Sequence, residues 1–237
     1  MPNIHDAFAF TGSESASVGT VSRSFTVTTG AEILFVIGVV DVATDVNPVC
    51  TSDLDTLTAL PGGEVISTAN NQALVVFYKL NPTVGTHTIT NTWDGGGSLS
   101  TTGAIGGVTF DTLNATQFSD VGTDSSGPDA SVSTTVANAA SGDLIVDFFA
   151  VNSNPTITVG ADQTQQINAS TGTSGGTMYG ASTQAGANGG VMSWSWTGNQ
   201  RTAQVAFRLR SASAAAVPFV EAAAQRNVRH RGRRLAA

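Results

Sequence analysis

The sequence predicts an all-β protein, a β-sandwich built from an internal repeat, with a short basic C-terminal helix or tail appended. Three observations predict it. Short runs of Val, Ile, Thr and Phe recur between clusters of Gly, Asn, Asp and Pro, the pattern of a sandwich or barrel. Helical periodicity is nearly absent before residue 217. Two long stretches also read as copies of one another.

The strands expected from these runs follow in order. Ala7–Phe10 and Val18–Val27 precede the most apolar stretch, Ile33–Val42. Glu64–Thr68, Leu74–Leu80 and Thr86–Trp93 follow, and Leu99–Phe110 closes the first copy. The second copy reads Ser131–Val136, Asp143–Val151, Thr156–Val159, Gln163–Asn168, Thr177–Thr183, Val191–Thr197 and Thr202–Arg210. "GAEILFVIGVV" aligns with "SGDLIVDFFAV", pairing Glu32 with Asp143 at a spacing of 111 residues. Leu74–Trp93 aligns with Thr177–Trp196 at 103, and Ala104–Phe110 with Ala203–Leu209 at 99, so the second copy carries shorter loops. A lone copy could not bury its inner face. The two are expected to pack face to face as halves of one domain, residues 1–211, with the repeat at about 30–110 and 141–210.

Composition narrows the function. Charged residues make up 11% of the chain and hydrophobic residues 41%, against a usual charged share of about 25%. A sizeable core is therefore expected under a neutral surface of Thr, Ser, Asn and Gly. The net charge of −7 is unevenly spread. Residues 1–225 carry five basic groups (Arg23, Lys79, Arg201, Arg208, Arg210) and all seventeen acids, net −12, whereas residues 226–237 carry +5. Such a body does not hold phosphate backbones, so nucleic acid could engage the tail alone. Cys50 is the single cysteine, so no intrachain disulfide forms. The opening "MPNIHDAFAF" lacks a basic segment followed by an apolar run, and no secretory signal is expected. "ILFVIGVV" is too short to span a bilayer, so no membrane role is expected.

"GDLIVDFF" (Gly142–Phe149), "VGADQTQ" (Val159–Gln165), "NPTVGTHTIT" (Asn81–Thr90) and "MSWSWTGNQRTAQVAFRLR" (Met192–Arg210) carry a resemblance. About residues 20–211 resemble a jelly-roll-type β-sandwich module found in tailed-phage virion structural proteins and in bacterial surface or secreted proteins. The resemblance implies a two-sheet jelly-roll-like fold and a binding or structural role. It brings no catalytic residue and no cofactor.

"GTSGG" around Ser174 matches G-x-S-x-G, but that motif needs a strand-to-helix turn and a nearby histidine. Here it sits in a Ser/Gly/Thr-rich loop, and 26 glycines make the match cheap. His5, His87 and His230 are too far apart in sequence to form a zinc motif. His87 aligns with Gly190 and is expected at the surface. Asp41, Asp45, Asp53 and Asp55 crowd one loop region, where oxygen ligands could hold calcium. The EF-hand spacing is missing, and Asp and Asn favour turns in any case. No metal site is expected. Two carboxylates facing each other across a cleft, as a glycosidase needs, are not singled out. Trp194 and Trp196 share one strand face. Trp196 aligns with Trp93 and both are expected in the core. Trp194 aligns with Asn91, and would be the glycan-stacking residue if the protein bound carbohydrate.

After a linker at residues 212–217, "PFVEAAAQRNVRHRG" opens a C-terminal segment, 218–237. Pro218 suits a first helical turn, Glu221 the N-terminal end, and Arg226, Arg229 and Arg231 the C-terminal end before Gly232. Val220, Ala224 and Val228 form one narrow apolar stripe. A helix this short is marginal alone in water and forms stably when docked. Phe219, Val220, Arg226, Val228, Arg229, Arg231, Arg233 and Arg234 are therefore the expected docking residues. The leading expectation is a non-enzymatic component of a tailed-phage virion, a capsid-decoration, head-fibre or tail protein, made in the host cytoplasm. Its partners would be other virion proteins and its own copies, with a trimer as a plausible form. The alternative is a carbohydrate-binding or adhesion module of a secreted or surface bacterial protein.

Overall fold

A computed structural model describes residues 2–9, 19–41, 48–67, 72–93, 102–111, 113–125, 127–171 and 176–211. They form sixteen β-strands. The first eight are β1 (Ile4–Ala9), β2 (Thr20–Val27), β3 (Ile33–Asp41), β4 (Val49–Ser52), β5 (Thr58–Ser67), β6 (Gln72–Leu80), β7 (Gly85–Thr92) and β8 (Thr102–Phe110). The second eight are β9 (Leu113–Asp124), β10 (Asp129–Thr135), β11 (Leu144–Asn152), β12 (Ile157–Val159), β13 (Gln163–Ser170), β14 (Thr177–Ala185), β15 (Val191–Gln200) and β16 (Thr202–Ser211). Among the described residues no helix is long and apolar enough to cross a membrane. The expected C-terminal helix lies outside them.

The repeat governs the whole topology. The first half builds a five-stranded sheet, β1-β8-β3-β6-β5, and a three-stranded sheet, β2-β7-β4. The second half builds β9-β16-β11-β14-β13 and β10-β15-β12, the same two orders with every strand advanced by eight. All strand pairs within these sheets are antiparallel. The copies therefore begin well before Gly30.

Register tests the alignment. Ile33 pairs with Phe110 as Leu144 pairs with Leu209, which matches spacings of 111 and 99. Asp41 faces Gln72, however, and Asn152 faces Thr177. Gln72, not Leu74, is thus the counterpart of Thr177. The alignment is corrected by two residues there. An even shift leaves every side chain on its original face, so the apolar pattern could not reveal it.

Side-chain alternation stacks the four sheets. Ile33, Phe35, Ile37 and Val39 of β3 pack into one core with Val146, Phe148 and Ala150 of β11 and Val205 and Phe207 of β16. The intervening Leu34, Val36 and Val40 point the other way, onto Val21, Phe25, Cys50 and Ile89 of the first outer sheet. Phe149 and Val151 likewise meet Val132, Trp194 and Trp196 of the second outer sheet. The layers run three, five, five and three strands. The two central sheets meet at their edges in pairs, β5 against β9 and β1 against β13, as a twofold-related pair would.

The expected two-sheet sandwich is thereby corrected to four sheets. "ILFVIGVV" and "LIVDFFAV" do not alternate, and a strand apolar on both faces must be covered on both. The inner cover is the other copy, as expected. The outer cover is each copy's own three-stranded sheet. Two strands not foreseen, β4 and β9, take part. β4, in an outer sheet, falls within the expected Asp-rich loop region, and β9, at the edge of a central sheet, carries a polar sequence.

Candidate functional site: buried polar network, turn clamp and outer faces

Asp147 occupies the middle of β11, where the first half has Val36, and its side chain is fully buried. Its carboxylate accepts four hydrogen bonds. Oδ1 receives the backbone N–H of Ser182 at 2.9 Å and the Ser182 hydroxyl at 2.6 Å. Oδ2 receives Trp194 Nε1–H and Gln204 Nε2–H, both at 2.7 Å. The network then spreads outward. Gln204 Oε1 accepts from Thr134 Oγ1 at 2.8 Å, and Ser182 Oγ accepts from Gln163 Nε2 at 2.7 Å. Gln163 Oε1 accepts from the Ser193 backbone N–H at 2.8 Å. Burial pushes the Asp147 carboxyl up to about 6, against the pull of these donors. Its signal in the sequence is an acid inside the otherwise apolar run LIVDFFAV.

A second polar cluster sits where β4 ends and β6 turns into β7. His87 is fully buried, which corrects the surface position expected from its alignment with Gly190. Its Nε2 lies 2.7 Å from the Thr83 carbonyl oxygen, which can only accept, so Nε2 carries the proton. In the neutral ring Nδ1 is then the acceptor for the Ser52 hydroxyl at 2.9 Å. Asp55 lies on the same side, 3.9 Å from Nδ1, and accepts from Thr83 N–H and Oγ1–H at 2.9 and 3.0 Å. A nucleophile–base pair is thus present, but a catalytic triad places its acid behind the other imidazole nitrogen. Here a backbone carbonyl holds that position, and the ring is sealed from solvent. The cluster clamps a turn.

The carboxylates considered for calcium are occupied in the same way. Asp53 accepts the Thr88 backbone N–H at 2.7 Å, and this bond is the chief reason its carboxyl lies below the usual range. Asp55 caps Thr83. The Asp41 side chain and Asp45 lie outside the described residues, among which no group of three or more His, Cys, Asp or Glu could hold a metal.

Trp194 stands corrected as a glycan-stacking residue. It is 1% exposed, its ring is stacked on Phe149 at 4.2 Å, and its N–H is held by Asp147. No face is left for a sugar. Trp93 and Trp196 lie in the core as expected. Ser174 and the eight docking residues, Phe219 to Arg234, lie outside the described residues.

The outward faces of the outer sheets carry hydroxyls. On the first, Thr20 pairs with Thr92, Ser22 with Thr90, Ser24 with Thr88 and Thr26 with Thr86. The Ser22 and Thr90 hydroxyls bond at 2.7 Å. On the second, Ser131 pairs with Ser195 and Ser133 with Ser193. The two faces lie on opposite sides of the stack, and these pairs carry no charge.

No family model, curated protein or solved structure matches the chain.

Proposed function

We propose that the chain is a non-enzymatic structural component of a tailed-phage virion, a capsid-decoration, head-fibre or tail protein, that docks through its C-terminal basic segment onto other virion proteins. The observation that carries this reading is the separation of charge, +5 over residues 226–237 against −12 over the preceding 225. A cationic peptide attached to an acidic body can engage an acidic neighbour without competing for its own fold's packing. Phe219, Val220 and Val228 would supply the apolar contact and Arg226, Arg229, Arg231, Arg233 and Arg234 the charge. Nucleic acid is a partner for this segment only.

The fold supports the reading. The order β1-β8-β3-β6 over β2-β7-β4, repeated in the second half, suits a jelly roll whose fifth strand has joined the larger sheet. Uncharged hydroxyl faces on both outer sheets let copies crowd in a particle without leaving a buried charge unpaired. The polar groups best placed for chemistry, Asp147 and the Ser52–His87 pair, are spent on holding layers and turns. The protein is proposed to act as a homo-oligomer, with a trimer the form to test first.

Deletion of residues 212–237 tests the proposal. The truncated protein is expected to keep its β-sheet circular dichroism and to lose incorporation into the particle. Normal incorporation of the truncated protein would refute docking through this segment.

A further inference from the structure

We propose that Asp147 and its donors form a proton-linked clasp that holds the second half's outer sheet, β10-β15-β12, more firmly at mildly acidic pH than at neutral pH. The geometry places one ionisable group at the point where the layers are cross-bonded. Ser182 comes from β14 and Gln204 from β16, within the five-stranded sheet; Trp194 comes from β15, the central strand of the outer sheet. Thr134 of β10 is tied in through Gln204. Two of the polar contacts between the layers thus pass through the carboxylate or one residue from it, and Gln163 of β13, bonded to Ser193 of β15, reaches it through Ser182.

The charged groups nearest on this face do not compensate it. Arg208 of β16 and Asp143, just before β11, lie at the end of the layer. They pair with each other at 3.4 Å, and Arg208 pairs with Asp120 at 2.7 Å. None of the four groups that bond Asp147 is charged, so the ionised carboxylate is buried without a counter-ion, which is costly.

The proton has one place to go. Oδ2 is faced by two N–H donors, neither of which can accept. Oδ1 is faced by a backbone N–H and by the Ser182 hydroxyl, which can turn from donor to acceptor. Protonation therefore puts hydrogen on Oδ1, bonded to Ser182 Oγ, and removes the buried charge while Trp194 keeps its place. The sign follows from the raised folded-state value, about 6 against an ordinary 3.8. Between those values the folded chain binds the proton and the unfolded chain does not. This group's contribution is fully present below the unfolded value and is lost as pH rises through 6.

Trp194 supplies the readout, because it is the one of the three indoles seen donating to a carboxylate; Trp196 Nε1 donates to the Asp129 carbonyl. In the full-length protein labelled with ¹⁵N, the Trp194 indole shift, assigned with Trp194→Phe, is expected to titrate with a midpoint between pH 5 and 7. Hydrogen exchange of the β15 amides, corrected for intrinsic rate, is expected to give an opening constant roughly tenfold smaller at pH 5 than at pH 7. Asp147→Asn should abolish both responses. If that variant does not fold, Gln204→Met removes a donor to Oδ2, which serves chiefly the ionised form, and should raise the midpoint. A flat indole shift from pH 4.5 to 8, or an opening constant unchanged between pH 5 and 7, overturns the proposal. Neither outcome bears on docking by the C-terminal segment.

Discussion

Gly38 and Phe149 hold equivalent places in the two copies, 111 residues apart, and they show how one backbone accepts different contents. Gly38 pairs with Val75, and Phe149 with Gly180, so each cross-strand pair contains one glycine on opposite strands. A Cβ at Gly38 would lie 2.9 Å from Asn91 Oδ1 and from Cys50 Sγ. Across the layer from Phe149 stands Trp194, the residue that the repeat aligns with Asn91. Amide and thiol fill one copy; two aromatic rings fill the other. A Cβ at Gly180 would meet Phe149 Cε1 at 2.4 Å and the Ile167 carbonyl oxygen at 2.8 Å. Gly180→Ala is therefore expected to destabilise the fold by about 1–3 kcal/mol, the usual cost of overpacking, read as a lower urea midpoint. At this scale the sequence was partly legible. Trp93 and Trp196 were placed in the core because both copies keep them. His87 was misplaced because its equivalent is a glycine, and residue type at a copied site says little when neighbouring turns differ. The role of Asp147 is not legible in the sequence because its partners come from three other strands.

Among the elements, the most apolar strands were read with the right extent, β3 and β11 above all, because unbroken apolar runs leave no alternative to burial. β4 and β9 were not seen. β4 is four residues long and buries Cys50 alone among its side chains, too short for a period to register. β9 lies at a sheet edge, where one strand partner suffices and a polar sequence is tolerated. β15 is the central strand of its outer sheet and bonds β10 at Ser131 and β12 at Thr158 through Ser195. Ser195→Pro removes a ladder donor where two strands depend on the same element. The expected result is faster hydrogen exchange across β10, β12 and β15, with β3, β6 and β8 of the other half unchanged.

The whole molecule is a covalently joined pair of similar two-layer units. The face each presents to the other is built from Ile33, Phe35, Ile37, Leu74 and Phe110 on one side and Val146, Phe148, Val205 and Phe207 on the other, all fully buried. Each such residue contributes about 1.5–3 kcal/mol on leaving water. Residues 113–211 expressed alone would expose their half of this core, and light scattering is expected to find dimers or larger species where the intact chain's halves satisfy each other internally. A soluble monomeric half would show that the central core is dispensable.

The sequence by itself determined that the protein is all-β, that it is written twice, and that charge is confined to an acidic body and a basic end. These follow from local periodicity and composition, which act within a few residues. Only the tertiary structure decided that there are four layers, that His87 and Trp194 lie inside, and that Asp147 joins two sheets. Those outcomes depend on which strands become neighbours, and residues 35 to 57 positions apart meet at Asp147 because pairing order, not proximity along the chain, brings them together.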